Sequence, residues 1–309
     1  MKEAYRITEE AGFKGFFYTP EKEAGKTLIV VIGDDGNDFM DKAAARWITD
    51  SAGGNALCVA LRSSKKEDPG ISCFPIETIH SAVNWLKARK TGGIGILGMS
   101  MQASLALTAA SLIPDISLTV AFTPSDFVPW GFLHGTIGKS KNAEYPSGHS
   151  TFTWQGRELP FQPSCLEKEE YWNMFLADKK KYREMHSISL FNYSEQVHPV
   201  TEEVRINVEN IKGTLVLIGA EDDSMWNAAK YIGRIEQRLK DKNSSCRLHC
   251  LVYKYGTHLL VPRTLLTKGL PLIGSLVPAL FRSGRSHRKE CRESQITLEK
   301  DLKKIISNW

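Results

Sequence analysis

The chain of 309 residues lacks any unbroken apolar run of the kind that spans a bilayer. Its most apolar stretch, Leu259 to Phe281, is interrupted by Pro262, Arg263, Lys268, Gly269, Pro271, Gly274 and Pro278, whereas a span needs about 20 apolar residues in succession. The stretch reads instead as broken helix or pocket wall. The loop Gly33-Asp34-Asp35-Gly36-Asn37 carries neither G-x-G-x-x-G nor G-x-x-x-x-G-K-[ST], so its glycines do not announce a nucleotide site. Basic clusters at Lys179 to Lys181 and Arg282 to Lys289 have no aromatic platform or zinc-finger spacing beside them, which argues against nucleic acid and for solvated surface. Cysteine is sparse: Cys58, Cys73, Cys165, Cys246, Cys250 and Cys291 are scattered, and the start Met-Lys-Glu-Ala-Tyr lacks a charged-then-apolar leader. A reduced, cytoplasmic protein is expected. Cys246, His249 and Cys250 are close in sequence, but in a β-like run 246 and 250 share one face and 249 opposes them, so core or edge packing is expected and no metal site.

What is present is an ordinary globular composition, 42% hydrophobic and 24% charged, with a net charge of +5. That mild basic bias would suit an anionic small-molecule substrate such as a phosphorylated thioester, or simply a solvated surface. No cofactor is implied, and oligomeric state is open.

The hydrophobic pattern alternates between strand and helix periods. Ala4 to Glu9 and Phe13 to Tyr18 suggest an antiparallel pair, and Thr27 to Ile32 the first buried strand. A helix over Asp38 to Asp50, with Phe39, Ala43, Trp47 and Ile48 as its apolar side, leads to a strand at Ala56 to Leu61. Pro75 opens a helix to Lys90 with Ile76, Ile79, His80, Val83 and Leu86 inward, followed by a strand at Ile94 to Leu97. A helix at Met101 to Leu112 and a strand at Ser117 to Phe122 complete the first half. Between Pro124 and Asn210 the alternation stops, and the one marked helical pattern is Leu166 to Met185. It resumes with a strand at Thr214 to Ile218, a helix at Trp226 to Leu239, a strand at Arg247 to Tyr253 and a closing helix from Gln295 to Trp309. The expectation is an α/β fold: a mostly parallel sheet with helices on both faces, a core formed by 1–123 and 211–309, and a lid-like insertion over 124–210.

The chemistry gathers where strands end. Gly98-Met99-Ser100-Met101-Gln102-Ala103 lies between a strand and a helix, a turn that pushes a serine Oγ out at the edge of the sheet. The helix start behind it offers free N–H groups to a developing oxyanion. Gln102 stands where G-x-S-x-G would place glycine. A serine hydroxyl needs an imidazole to take its proton, and the imidazole needs a carboxylate to orient it. Asp223 in Gly219-Ala220-Glu221-Asp222-Asp223-Ser224-Met225-Trp226 is the preferred acid, with Asp222 as its rival; the one not used is expected to cap the next helix. His258 in Tyr255-Gly256-Thr257-His258 follows a strand, unlike His80 on a helix, His249 in a strand or His287 in a basic loop. His134, His149 and His198 belong to the insertion and read as solvated or as lining a substrate entrance. The oxyanion site is expected from the Met101 amide with that of Asp34. Trp130, Phe132, Phe152, Trp154, Phe161 and Trp172 supply enough apolar surface to wall a substrate site, or to pack the insertion.

These residues resemble the C-terminal catalytic domain of the acyl-CoA thioesterases and bile acid-CoA:amino acid N-acyltransferases, members of the α/β-hydrolase superfamily. The resemblance runs from about Lys26 to Arg263. Its elements are the Ser100 turn, Ser150-Thr151-Phe152-Thr153-Trp154-Gln155-Gly156-Arg157-Glu158-Leu159-Pro160, Val208 to Gly213, Gly219 to Trp226 and Tyr255 to Pro262. It implies attack on an acyl thioester, or an ester, and an acyl-enzyme. Members that pass the acyl group to an amine look to use cysteine at the turn, so Ser100 favours release to water. The family often has lysine and glycine where this chain has Met101 and Gln102, and fewer than thirty residues precede the core, so a stand-alone, bacterial-type form is expected.

Overall fold

The computed structural model describes residues 5–7, 11–21, 25–62 and 70–309. The chain opens with β1 (Tyr5–Ile7) and β2 (Gly15–Tyr18), an antiparallel pair, then enters the sheet centre with β3 (Lys26–Val31). Ala4 and residues 8–9 of the expected first strand lie outside the described residues. Helix α1 (Phe39–Trp47), extended by one π-helical turn to Ala52, returns the chain to β4 (Asn55–Val59). After the short β5 (Gly70–Ile71) and β6 (Phe74–Pro75) come α2 (Glu77–Ala88), β7 (Gly93–Met99), α3 (Met101–Leu112) and β8 (Leu118–Phe122).

The segment that follows is not mainly helical. It forms a long hairpin, β9 (Trp130–Ile137) with β10 (Ser140–Ser150), and a small one, β11 (Phe152–Trp154) with β12 (Arg157–Glu158). Two helices follow, α4 (Lys168–Tyr182) and α5 (Ile188–Val197). The sheet is then completed by β13 (Thr214–Ala220), α6 (Ala228–Asp241) and β14 (Arg247–Tyr253), with α7 (Arg263–Gly269), the short α8 (Arg282–Ser286) and α9 (Arg288–Asn308) behind.

The eight strands run in the order β1-β2-β4-β3-β7-β8-β13-β14, with the β1·β2 and β2·β4 pairs antiparallel and all later neighbours parallel. This is an α/β-hydrolase fold. Alternation along β3 sends Ile29 and Val31 to one apolar layer and Leu28 and Val30 to the other. The first layer packs α2 and α6 through Ile79, Val83, Leu86, Ile232 and Ile235; the second packs α1 and α9 through Trp47, Leu298, Leu302 and Ile306. Helix α3 is apolar almost all round, with Ala103, Leu105, Ala106, Leu107 and Ala109 buried, as a helix held inside a layer must be.

Three expectations need correcting. His80 is exposed rather than packed in the core, because the buried stripe of α2 is Ile79, Val83 and Leu86; its ring lies edge-on to Trp154 at 6.1 Å. Phe39, at the first turn of α1, is 53% exposed. Trp226 precedes α6 instead of opening it, and Asn227, not a neighbouring aspartate, caps that helix by accepting the Lys230 N–H at 3.1 Å.

The long hairpin and α5 are bound to the core by rings and by charge. Trp130 stacks on Phe191 at 4.8 Å, and Phe191 meets Trp226 edge-on at 5.1 Å. Asp126 takes both Arg205 (2.7 Å) and Arg234 (2.5 Å), while Glu195 of α5 accepts from Lys230 (2.7 Å), Tyr231 (2.7 Å) and Arg234 (3.0 Å) of α6.

Candidate active site

Strand β7 ends at Met99 and α3 begins at Met101, so Ser100 makes the turn alone. Its backbone sits at φ 58°, ψ −126°, a region L residues avoid, and its N–H donates to Phe122 O at 2.8 Å. Gly98 permits the tight reversal: a Cβ there would run into the carbonyl of Gln102. The close contact is therefore made by the Gln102 backbone, and its side chain borders a cleft instead. The motif's second glycine is dispensable in this geometry.

Loops after β13 and β14 meet Ser100. The imidazole Nε2 of His258 lies 2.8 Å from Ser100 Oγ, and Nδ1 lies 2.8 and 3.0 Å from the two oxygens of Asp223. Asp223 and His258 side chains are 1% and 7% exposed. Asp223 Oδ1 also accepts the N–H groups of Met225 (2.9 Å) and Trp226 (3.3 Å), which fixes the carboxylate before it meets the ring. Its rival has a different task. Asp222 Oδ1 accepts the Gly256 and Thr257 N–H groups at 2.9 and 2.8 Å, and its other oxygen accepts the Ser283 hydroxyl, so it ties down the loop that carries His258. Thr257 is held at φ 62° in that loop. The indole of Trp226 stands edge-on to His258 at 5.9 Å and donates to Thr123 O at 2.9 Å.

Met101 opens α3, in the first turn, where N–H groups have no partner within the helix. Asp34 is placed differently from the expectation for it. Its N–H donates to Asp38 Oδ2 at 2.8 Å and its carboxylate pairs with Arg62, so in this arrangement that amide is not offered to the cleft. The neighbouring Gly33 N–H goes to Asp41 Oδ1 at 3.0 Å. Asp41 is fully buried with Oδ2 unpartnered, and burial together with the nearby Asp38 pushes its carboxyl up to about 7. Asp35, Asp38 and Asp41 are one of two groups with metal-ligand spacing among the described residues; the other is Cys73, His149 and Glu158. Both Asp38 oxygens accept backbone N–H groups, which makes that first group a clamp on the β3–α1 loop. His249 and Cys250 lie on the edge strand β14, Cys246 lies just before it, and the three belong to neither group.

An aromatic cleft opens beside Ser100 and His258. Phe132 of β9 and Trp172 of α4 line it, as do Tyr171, Phe175 and Phe191, which sequence reasoning did not single out. Trp130 and Phe152 are buried packing residues, Phe161 packs at the cluster edges and Trp154 lies against the core by His80. A second, more polar cleft on the other side of Ser100 holds Asp34, Arg62, Gln102, His134 and Asn142, and Glu144 lines both. His134 is thus at an entrance, whereas His149 pairs with Glu158 at 2.9 Å and His198 lends its carbonyl to Gln162.

Residues 74–264 match the family described as BAAT / Acyl-CoA thioester hydrolase C terminal. The chain belongs to that family. Such membership, on this fold, makes it an α/β-hydrolase enzyme for esters or thioesters. Among curated proteins no sequence matches. Similar solved structures include an esterase of Pyrococcus furiosus (18% identity, 90% of this chain and 89% of that one, TM-score 0.47) and the esterase domain of a Rhodothermus marinus protein (11% identity, 90% and 97%, TM-score 0.43). Another is 2,6-dihydroxy-pseudo-oxynicotine hydrolase (12% identity, 91% and 67%, TM-score 0.47). The family-like stretch Ser150 to Pro160 lies away from Ser100: β11 pairs in parallel with β6, Phe152 opposite Phe74, and Gln155-Gly156 turn the hairpin with φ of 53° and 72°. That pairing joins the β11–β12 hairpin to β6. Among the described residues no helix is long and apolar enough to cross a membrane.

Proposed function

We propose that the protein is a serine hydrolase of acyl thioesters or esters, with Ser100 as nucleophile, His258 as general base and Asp223 as the acid that orients it. The observation that carries this reading is the continuous relay Ser100 Oγ, His258 Nε2, His258 Nδ1, Asp223, with both links at 2.8 Å. His258 takes the hydroxyl proton as Oγ attacks the carbonyl, the leaving thiol or alcohol takes that proton back, and an acyl-Ser100 ester remains. Water, activated by the same imidazole, then releases the acid. The Met101 N–H at the start of α3 faces the developing oxyanion, aided by the helix dipole. Serine at position 100 favours water over an amine as the acceptor. The segment 124–210 acts as a cap on a core of 1–123 and 211–309, and its aromatic cleft holds the part of the substrate next to the scissile carbonyl.

Treatment with a fluorophosphonate probe tests this reading. A single adduct on Ser100, absent from Ser100→Ala, is expected; an unlabelled native protein, or equal labelling of the variant, overturns it. Rates on palmitoyl-CoA, acetyl-CoA and p-nitrophenyl esters then separate thioesterase from esterase.

A further inference from the structure

The aromatic cleft contains a group that a purely apolar substrate has no use for. Glu144 of β10, opposite His134 of β9 in the hairpin register, lines it together with Ser100, Phe132, Tyr171 and Trp172. Among the described residues its carboxylate makes no hydrogen bond, while burial pushes its carboxyl above the ordinary range. His134, opposite it in the register, and Arg62, itself paired with Asp34, act on the carboxylate without a hydrogen bond to it. Tyr171 is buried, its phenol is pushed up first by that burial and then by Glu144, and both residues line the cleft. Phe132 and Tyr171 meet edge-on at 5.9 Å, and Trp172 stacks on Phe175 at 5.5 Å, so the wall is preassembled.

A carboxylate in such a wall is costly when nothing answers its charge, and a fatty chain laid against it would worsen the cost. Aromatic faces attract a cation, and a nearby carboxylate supplies the counter-charge. We propose that this cleft seats an organic cation, a quaternary or protonated ammonium group carried by the substrate, with Glu144 as its counter-ion and Phe132, Tyr171 and Trp172 as its walls. The reading rests on the Ser100 hydrolase only for where the scissile bond lies; the cation seat is tested without turnover.

Choline chloride and its uncharged isostere 3,3-dimethylbutan-1-ol are titrated calorimetrically, at equal ionic strength and pH 8, into native protein, Ser100→Ala and Glu144→Gln. Choline binds the first two about tenfold more tightly than the isostere, and Glu144→Gln brings the ratio close to one. Equal affinities in the native protein, no binding of choline, or a preference that survives Glu144→Gln overturns the proposal. The choline-against-isostere comparison on native protein needs no variant, so it decides even if Glu144→Gln fails to fold. A choline preference in a protein that no fluorophosphonate labels would refute the hydrolase and leave the cation seat standing.

Discussion

The two sides of the Ser100 cleft are built by different physics. On the sheet side, Ser100, Asp223 and His258 sit on short loops after β7, β13 and β14, each pinned by directed hydrogen bonds: Phe122 O for Ser100, two backbone N–H groups for Asp223, and Asp222 for the His258 loop. On the side of the proposed cap, Phe132, Tyr171 and Phe191 are positioned by ring contacts between the hairpin and two helices, and Trp172 stacks on Phe175 within α4. Hydrogen bonds fix atoms to tenths of an ångström, as proton transfer requires; ring packing fixes a shape and tolerates exchange of one apolar group for another. Damage on the sheet side should therefore appear in kcat, and damage on the cap side in KM.

The sharpest break is Ser100→Ala, expected to lower kcat on p-nitrophenyl butyrate by roughly a million-fold with little change in KM. Retention of more than a few per cent of the native rate would end the comparison. Next comes the aspartate pair. Asp223→Asn should lower kcat by about 10⁴, because the amide favours the wrong imidazole tautomer. Asp222→Asn should instead loosen the His258 loop and lower Tm by about 2–4 °C. Equal kcat losses in the two variants would erase the division of labour. Phe132→Ala, on the cap side, should raise KM about tenfold and leave kcat within about threefold, since it removes wall contact common to ground and transition states.

The smallest effect concerns the loop after β3. The Asp41 carboxyl, raised to about 7 from an ordinary value of 3.8, binds a proton more firmly in the folded than in the unfolded chain. Stability is then greatest below the unfolded value and declines as pH climbs to about 7, by at most about 3 kcal/mol from pH 5 upward. Asp41→Asn, which mimics the protonated carboxyl, should remove that component, so its Tm should fall less between pH 5 and pH 8 than that of the native protein. Parallel thermal melts at the two pH values decide it.

The sheet side was largely legible in the sequence, and the cap side was not. Parallel strands buried on both faces give plain apolar runs such as Thr27 to Ile32, and the order serine, acid, histidine at strand ends follows from the topology. Choosing Asp223 over Asp222 was a matter of spacing; only the tertiary structure separates an oxygen aimed at imidazole from one aimed at two amides. In the cap, β10 is mostly polar, carries Pro146 and Gly148, and pairs with register shifts, so its period-two pattern is lost. A signal did exist: Gly138-Lys139 is a two-residue hairpin loop, with Gly138 at φ 55°, between residues that alternate in burial along β9. Glu144 had no signal at all, because its meaning lies in rings contributed from β9 and α4. His80 misled for a simpler reason: one residue beyond a buried stripe is still within reach of an apolar count.

The meeting of Gly98 with the carbonyl of Gln102 has a consequence for how such an enzyme diversifies. Since the turn is satisfied by backbone at 102, the residue there is left to border the polar cleft beside Ser100. Residue 102 is thus a variable letter in an otherwise constrained word, where selection or a designer can recolour the polar cleft without disturbing the bend that exposes Ser100.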